Sequence, residues 1–247
     1  MSAPDATSPE TPSIPPQKAS VWEDFLDIIY APADVFRRRA NGNFWLPLLV
    51  TTILISLLAY ANRNIIRPVF DAEFARGAAA AMQKNPQLTQ DAYNRIRDVS
   101  FAVAQFGSLV LIPLLILVSA FVIWLLVKAF GTRVSWNAAL IIASFAMVAK
   151  VVQSIALSIQ GLLLDPAGFT SRFAIQIGPG RFMHASGISP IMGSVYDRLD
   201  IFILWGVVLV AIGAATVGKM SKGKATLFGV VYWVLAWLPG LVGALRQ

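Results

Sequence analysis

Cysteine is missing altogether from these 247 residues, and histidine occurs once, as His184. Without cysteine there is no disulfide, no thiol nucleophile and no thiolate-bound metal. A single histidine cannot supply the paired imidazoles on which many zinc sites are built. Charge is scarce too: 13% of the residues are Asp, Glu, Lys or Arg, against about 25% in soluble domains. A soluble core still needs a solvated shell, so this deficit argues against an ordinary water-soluble domain. Motifs for nucleotide and acyl chemistry are also missing. No Gly-x-x-x-x-Gly-Lys-Ser/Thr run occurs. Gly-x-Ser-x-Gly is absent, and Ser186 beside Gly187 is not in an elbow context. Gly178-Pro-Gly180-Arg181 has turn composition with no strand before it. The reading is a chain with no catalytic residues, no metal ligands and no cofactor.

What is abundant is apolar surface. Hydrophobic residues make up 57% of the chain and the mean hydropathy is +0.66, so the bilayer is the natural solvent. The net charge of +7 would suggest nucleic acid in a soluble protein; here it fits cytoplasmic loops beside anionic lipid, and no nucleic-acid partner is expected. Residues 1–19 carry Pro4, Pro9, Pro12, Pro15 and Pro16 without any apolar period. They read as a disordered tail rather than a signal peptide, lacking a basic start and an apolar core.

A different texture begins at Ser20. Ser20 and Glu23 have capping-box spacing. Trp22, Phe25, Leu26 and Ile29 then recur at helical spacing opposite Glu23, Asp24 and Asp27. Pro32 interrupts this helix or opens a second one, and Val35 and Phe36 precede the run Arg37, Arg38, Arg39. Residues 20–40 thus read as an amphipathic helix on the cytoplasmic membrane face or on a protein surface. Five apolar segments follow, over residues 44–62, 107–130, 135–164, 199–218 and 225–245. Each is close to or above the ~20 residues needed to cross ~30 Å of hydrocarbon. The expected fold is all-α, a polytopic membrane helix bundle with about five transmembrane helices.

The short connectors orient it. Arg37 to Arg39, then Lys128 and Arg133, then Lys219, Lys222 and Lys224 fall on one side of a five-span chain, and the two short connectors contain no acid. The positive-inside rule makes that side, with the N-terminus, cytoplasmic. The outer loops are 63–106, largely helical with a fresh start after Pro86, and 165–198, rich in Gly and Pro yet apolar. The second is expected to fold back over the bundle.

Lys150 stands near the middle of the third segment, where a charge costs about 2.5–3.5 kcal/mol on insertion scales. Gln153, Ser154 and Ser158 share its helical face. This candidate polar site is either a path or partner contact, or a helix shifted in depth with Lys150 snorkelling or paired to Asp165 or Asp200. Small-residue pairs such as Ala211 with Ala215 and Ala139 with Ala143 favour close helix packing, within the bundle or at a dimer seam. Candidate membrane-surface contacts are Trp22, Phe25, Arg37, Arg38, Arg39, Lys219, Lys222 and Lys224, the lysines facing anionic headgroups at about 1 kcal/mol each.

The order of these segments, from Trp22 to Ala244, resembles the Yip family of five-span membrane proteins. The residues that carry the likeness are Asp200-Ile-Phe-Ile-Leu-Trp205, Leu-Val-Ala-Ile-Gly213 and the basic loop Ser221-Lys222-Gly223-Lys224-Ala225. Near the start, Pro32 to Phe36 and Trp45-Leu-Pro47 are similar to the bacterial members' stretch before the first span. The resemblance implies a multi-pass location, here the bacterial inner membrane. In eukaryotic relatives it implies binding of lipidated Rab-type GTPases, although their Asp-Leu-x-Gly-Pro type motif does not occur in this chain. The expected role is a non-enzymatic organiser or accessory subunit of a membrane assembly, with membrane-protein partners or self-association. A transport component using the Lys150 stripe and a lipid-contacting, bilayer-shaping protein are the alternatives.

Overall fold

The computed structural model describes residues 20–84, 89–183 and 187–245, with the backbone alone at 79–84. The tail at 1–19, Pro86, His184 and Ser186 lie outside them. The described residues are helical throughout, without strands. The helices are α1 (Val21–Tyr30), α2 (Pro32–Arg39), α3 (Trp45–Ala61), α4 (Arg63–Lys84), α5 (Gln90–Ala129), α6 (Trp136–Ala146), α7 (Val148–Leu163), α8 (Pro190–Arg198), α9 (Ile201–Gly218) and α10 (Lys222–Leu245). Short 3₁₀ turns at Pro166–Gly168, Arg172–Ile175 and Pro179–Phe182 fill the segment before α8.

Local chemistry sets most helix ends. Ser20 caps α1 by accepting from the Glu23 N–H at 3.2 Å, while its own N–H donates to the Glu23 carboxylate at 2.7 Å. Pro32 opens α2 at the position where a missing N–H costs nothing. Thr89, Ser135, Ser189 and Asp200 cap α5, α6, α8 and α9 in the same manner as Ser20. Inside α3, Thr51 and Thr52 return their hydroxyl protons to the Pro47 and Leu48 carbonyls, so no donor is left facing hydrocarbon.

Four units are long and apolar enough to cross a membrane: α5, α6 with α7, α9 and α10. A fifth is α3, of 17 residues, taken together with the start of α4, into which it bends by 78°. The chain is therefore an integral, multi-pass, all-α membrane protein. Two of the expected segments have a different form. The segment at 107–130 is the second half of a 40-residue helix, about 60 Å long, that begins at Gln90 in the outer loop. The segment at 135–164 is broken at Met147 into α6 and α7.

Helix α6 is the hub, touching α5, α9, α3 and α7, and residues 138–145 are all buried. At the end carrying the short basic connectors, the near end, α1 and α2 lie against α9 and α6. At the far end α3 stops against the middle of α7. Asn62 donates to the Ser154 carbonyl at 2.9 Å and accepts from the Ser158 hydroxyl at 2.8 Å, and Tyr60 lies beside Phe106. Beyond that junction is a cap. Phe70, Phe74, Tyr93 and Phe101 pack α4 on the start of α5. Arg67 joins Asp71 and Asp98 across the same hairpin, at 2.9 and 2.5 Å. Glu73 receives Arg76 and Arg172, and Arg172 reaches Asp197 at 3.0 Å. The apolar 165–198 segment does fold back: the Ile177 N–H donates to Asp200, and the Ile177 carbonyl accepts from Ile201.

Candidate functional site

The near end builds its site from α1 and α2. Ile28, Val35 and Phe36 are fully buried in the main core. Phe25 and Phe36 both pack on Phe145, with ring centres 5.4 and 6.4 Å away, and Phe36 lies over Gly213. Phe145 is nine residues into α6 from Trp136, about 13 Å at 1.5 Å per residue. The hairpin of α1 and α2 therefore packs alongside α6 and α9, about that far from the start of α6. Its outward side exposes the large apolar side chains Trp22 (66%), Leu26 (64%) and Tyr30 (83%), alongside the charged Glu23, Asp34 and Arg37.

The charges of this hairpin face each other. Asp24 is fully buried and accepts from Arg38 at 2.5 Å and from Arg39, while Asp27 takes a second donor of Arg38. Burial pulls the Arg38 guanidinium down; the hydrogen bonds to Asp27 and then Asp24 outweigh it and hold it above its ordinary value. Arg37 pairs with Asp34 at 2.6 Å on the exposed side. Every acid of α1 and α2 is thereby engaged with this element. Lys219, Lys222 and Lys224 are exposed, and among the described residues they form no ion pair. Lys219 holds the left-handed turn that ends α9, at φ 52°. Lys128 lies 3.1 Å from the Trp124 ring centre at the same end.

The Lys150 stripe is at the other level. Lys150 donates to Gln153 at 2.7 Å, is exposed, and lies within electrostatic reach of Asp200, the cap of α9. Ser154 returns its proton to the Lys150 carbonyl, and Ser158 serves Asn62. The four residues share a face, and two of them are spent on the α3–α7 junction. The small residues are also in use: Ala139, Ala143 and Ala214 are buried in the core, and Ala211 faces Gly229 of α10. Among the described residues no three Asp, Glu or His side chains converge as a metal site would need.

The family whose model matches this sequence is the Yip1 domain, over residues 26–244. The chain belongs to that family. Comparison with curated proteins and with solved structures finds no match.

In this Yip1-domain chain, several contacts that shape the site had no local signal in the sequence. Asp24 looked like one of three solvent-facing acids, yet it holds two arginines fourteen and fifteen residues away. Asn62 ends a span and ties it to α7 ninety-two residues on. Arg198 donates to the Ala236 carbonyl of α10, three residues before Pro239, whose ring leaves that turn short of donors. A composition or period argument sees none of these; only the charge pattern Asp-x-x-Asp of α1 against Arg-Arg of α2 hinted at the first.

Proposed function

We propose that this Yip1-domain protein is a non-enzymatic organiser of its bilayer, acting through the α1–α2 hairpin it holds in one leaflet. The observation that carries this reading is the hairpin's depth, beside Ile142, Phe145 and Gly213, combined with its exposed Trp22, Leu26 and Tyr30. An apolar element added to one leaflet and not the other takes up area on one side only, which favours curved or thinned membrane. Lys128, Arg133, Lys219, Lys222 and Lys224 at the same end support a cytoplasmic N-terminus, beside anionic headgroups. The resemblance of 32–47 to bacterial members supports reading that membrane as the bacterial inner membrane. Association with other membrane proteins as an accessory subunit is compatible with the same surfaces.

The test uses the whole chain in liposomes. Its lack of native cysteine allows Trp22→Cys or Tyr30→Cys to carry a single fluorophore. Nitroxides on lipid acyl chains should quench either probe strongly, and aqueous iodide weakly. The opposite pattern at both positions would overturn the reading. An impermeant maleimide on Lys222→Cys, applied to vesicles of known sidedness, reads the orientation.

A further inference from the structure

Between α3 and α5, on their outward side, lies a groove of about 300 Å³. Ile53, Leu57, Phe106 and Leu109 form its apolar walls. Both helices belong to spans, so bilayer rather than water meets this groove. Its polar lining is small and specific. The Ser108 hydroxyl lies 3.1 Å from that of Ser56 and donates to the Gln105 carbonyl at 2.8 Å. The Gln105 side-chain oxygen Oε1 is buried and receives no hydrogen bond. A buried acceptor without a donor is costly, and acyl chains have no donor to offer.

The depth of the groove says where the donor comes from. Tyr60 and Phe106 stand where the spans end, at the headgroup level, and Ile53 and Leu109 reach deeper into hydrocarbon. Arg63 stacks on the Tyr60 ring, 4.4 Å from its centre, and its guanidinium donates to the Tyr60 carbonyl. Among the described residues no carboxylate pairs with it. The groove thus presents an unpaired acceptor and an apolar trough, with a cation that no carboxylate pairs standing beside its Tyr60 rim.

We propose that this groove binds one phospholipid. Its phosphate meets Arg63, a donor of its headgroup meets Gln105 Oε1, and one acyl chain lies between Leu57 and Leu109. A net-anionic headgroup bearing hydroxyl donors fits best, for which phosphatidylglycerol is the probe. Phosphatidylcholine, whose headgroup has no hydrogen-bond donor, is the control. This site is independent of the α1–α2 hairpin and lies at the opposite end of the bundle.

The experiment is native mass spectrometry of the full-length protein, delipidated in mild detergent and offered the two lipids with identical chains. One phosphatidylglycerol should survive activation that strips phosphatidylcholine. Gln105→Leu, which removes the acceptor at similar volume, should cut that preference roughly two- to tenfold, the range of one hydrogen bond. Arg63→Gln should lower retention of phosphatidylglycerol, and Leu57→Trp should block the groove from its exposed lip. Equal retention of both lipids by the unaltered protein would overturn the proposal. So would an unchanged preference in Gln105→Leu, a variant that keeps the fold because it removes an unpaired group. Displacement by millimolar inorganic phosphate would show an anion held at Arg63 alone, which also overturns it.

Discussion

Asp24→Ala is the sharpest perturbation of the near end. Asp24 is fully buried and is shared by Arg38 and Arg39. Removing one partner of a buried pair costs about 3–5 kcal/mol, because the other charge is left stranded. The two arginine side chains are 33% and 26% exposed and can recover part of their solvation. The expected loss is therefore about 2 kcal/mol, a roughly thirtyfold rise in the undocked hairpin. The readout is the modification rate of Val35→Cys by a water-soluble maleimide, since Val35 is fully buried and no native thiol competes. Arg37→Ala is the control: its pair with Asp34 is 69% and 59% exposed, so the same rate should rise less than about fivefold. Adding Arg38→Met and Arg39→Met to Asp24→Ala should restore protection, because an apolar set of similar volume avoids the stranded charges. Equal rates in Asp24→Ala and Arg37→Ala would refute the reasoning, since docking would then not depend on the buried carboxylate.

Three further outcomes are expected. A methyl group on Gly178 would stand 2.7 Å from the Leu199 carbonyl oxygen, so Gly178→Ala should destabilise the far-end cap by about 1–3 kcal/mol, seen as faster proteolysis of the 165–198 segment. The hydrogen bond from Arg67 holds the Asp98 carboxyl below the usual carboxylate range. Its contribution is present above the unfolded value near 3.9 and disappears as pH falls through the lower folded value. Protection factors of amides in the α4–α5 hairpin, normalised to the intrinsic exchange rate at each pH, should thus fall below about pH 4, and this group should leave them unchanged between pH 6 and 8. Lys150→Leu should keep the thermal midpoint in detergent, because Lys150 is exposed and bonds only Gln153; any loss of reconstituted flux on this change would then report function rather than unfolding.

Class and location were legible in the sequence because their signals are local. Runs of 17 to 40 helical residues, caps at Ser20, Ser135 and Asp200, and lysines in the short connectors each depend on neighbours within a few positions. The helical break at Ala31 was announced by Pro32 in the same way. Other features have no local code. The 78° bend at Asn62 and the break at Met147 carry neither Pro nor Gly, and the bend stands where Asn62 exchanges hydrogen bonds with α7. That Lys150 lies within electrostatic reach of Asp200, the cap of α9, depends on how α7 packs against α9, which no window of sequence measures. The same holds for the near end. Amphipathicity identified α1, but its packing on the bundle was decided by Phe25, Phe36 and Phe145 meeting across more than a hundred residues. Periodicity determines which residues seek burial; only the assembled tertiary structure decides against what, and at what depth.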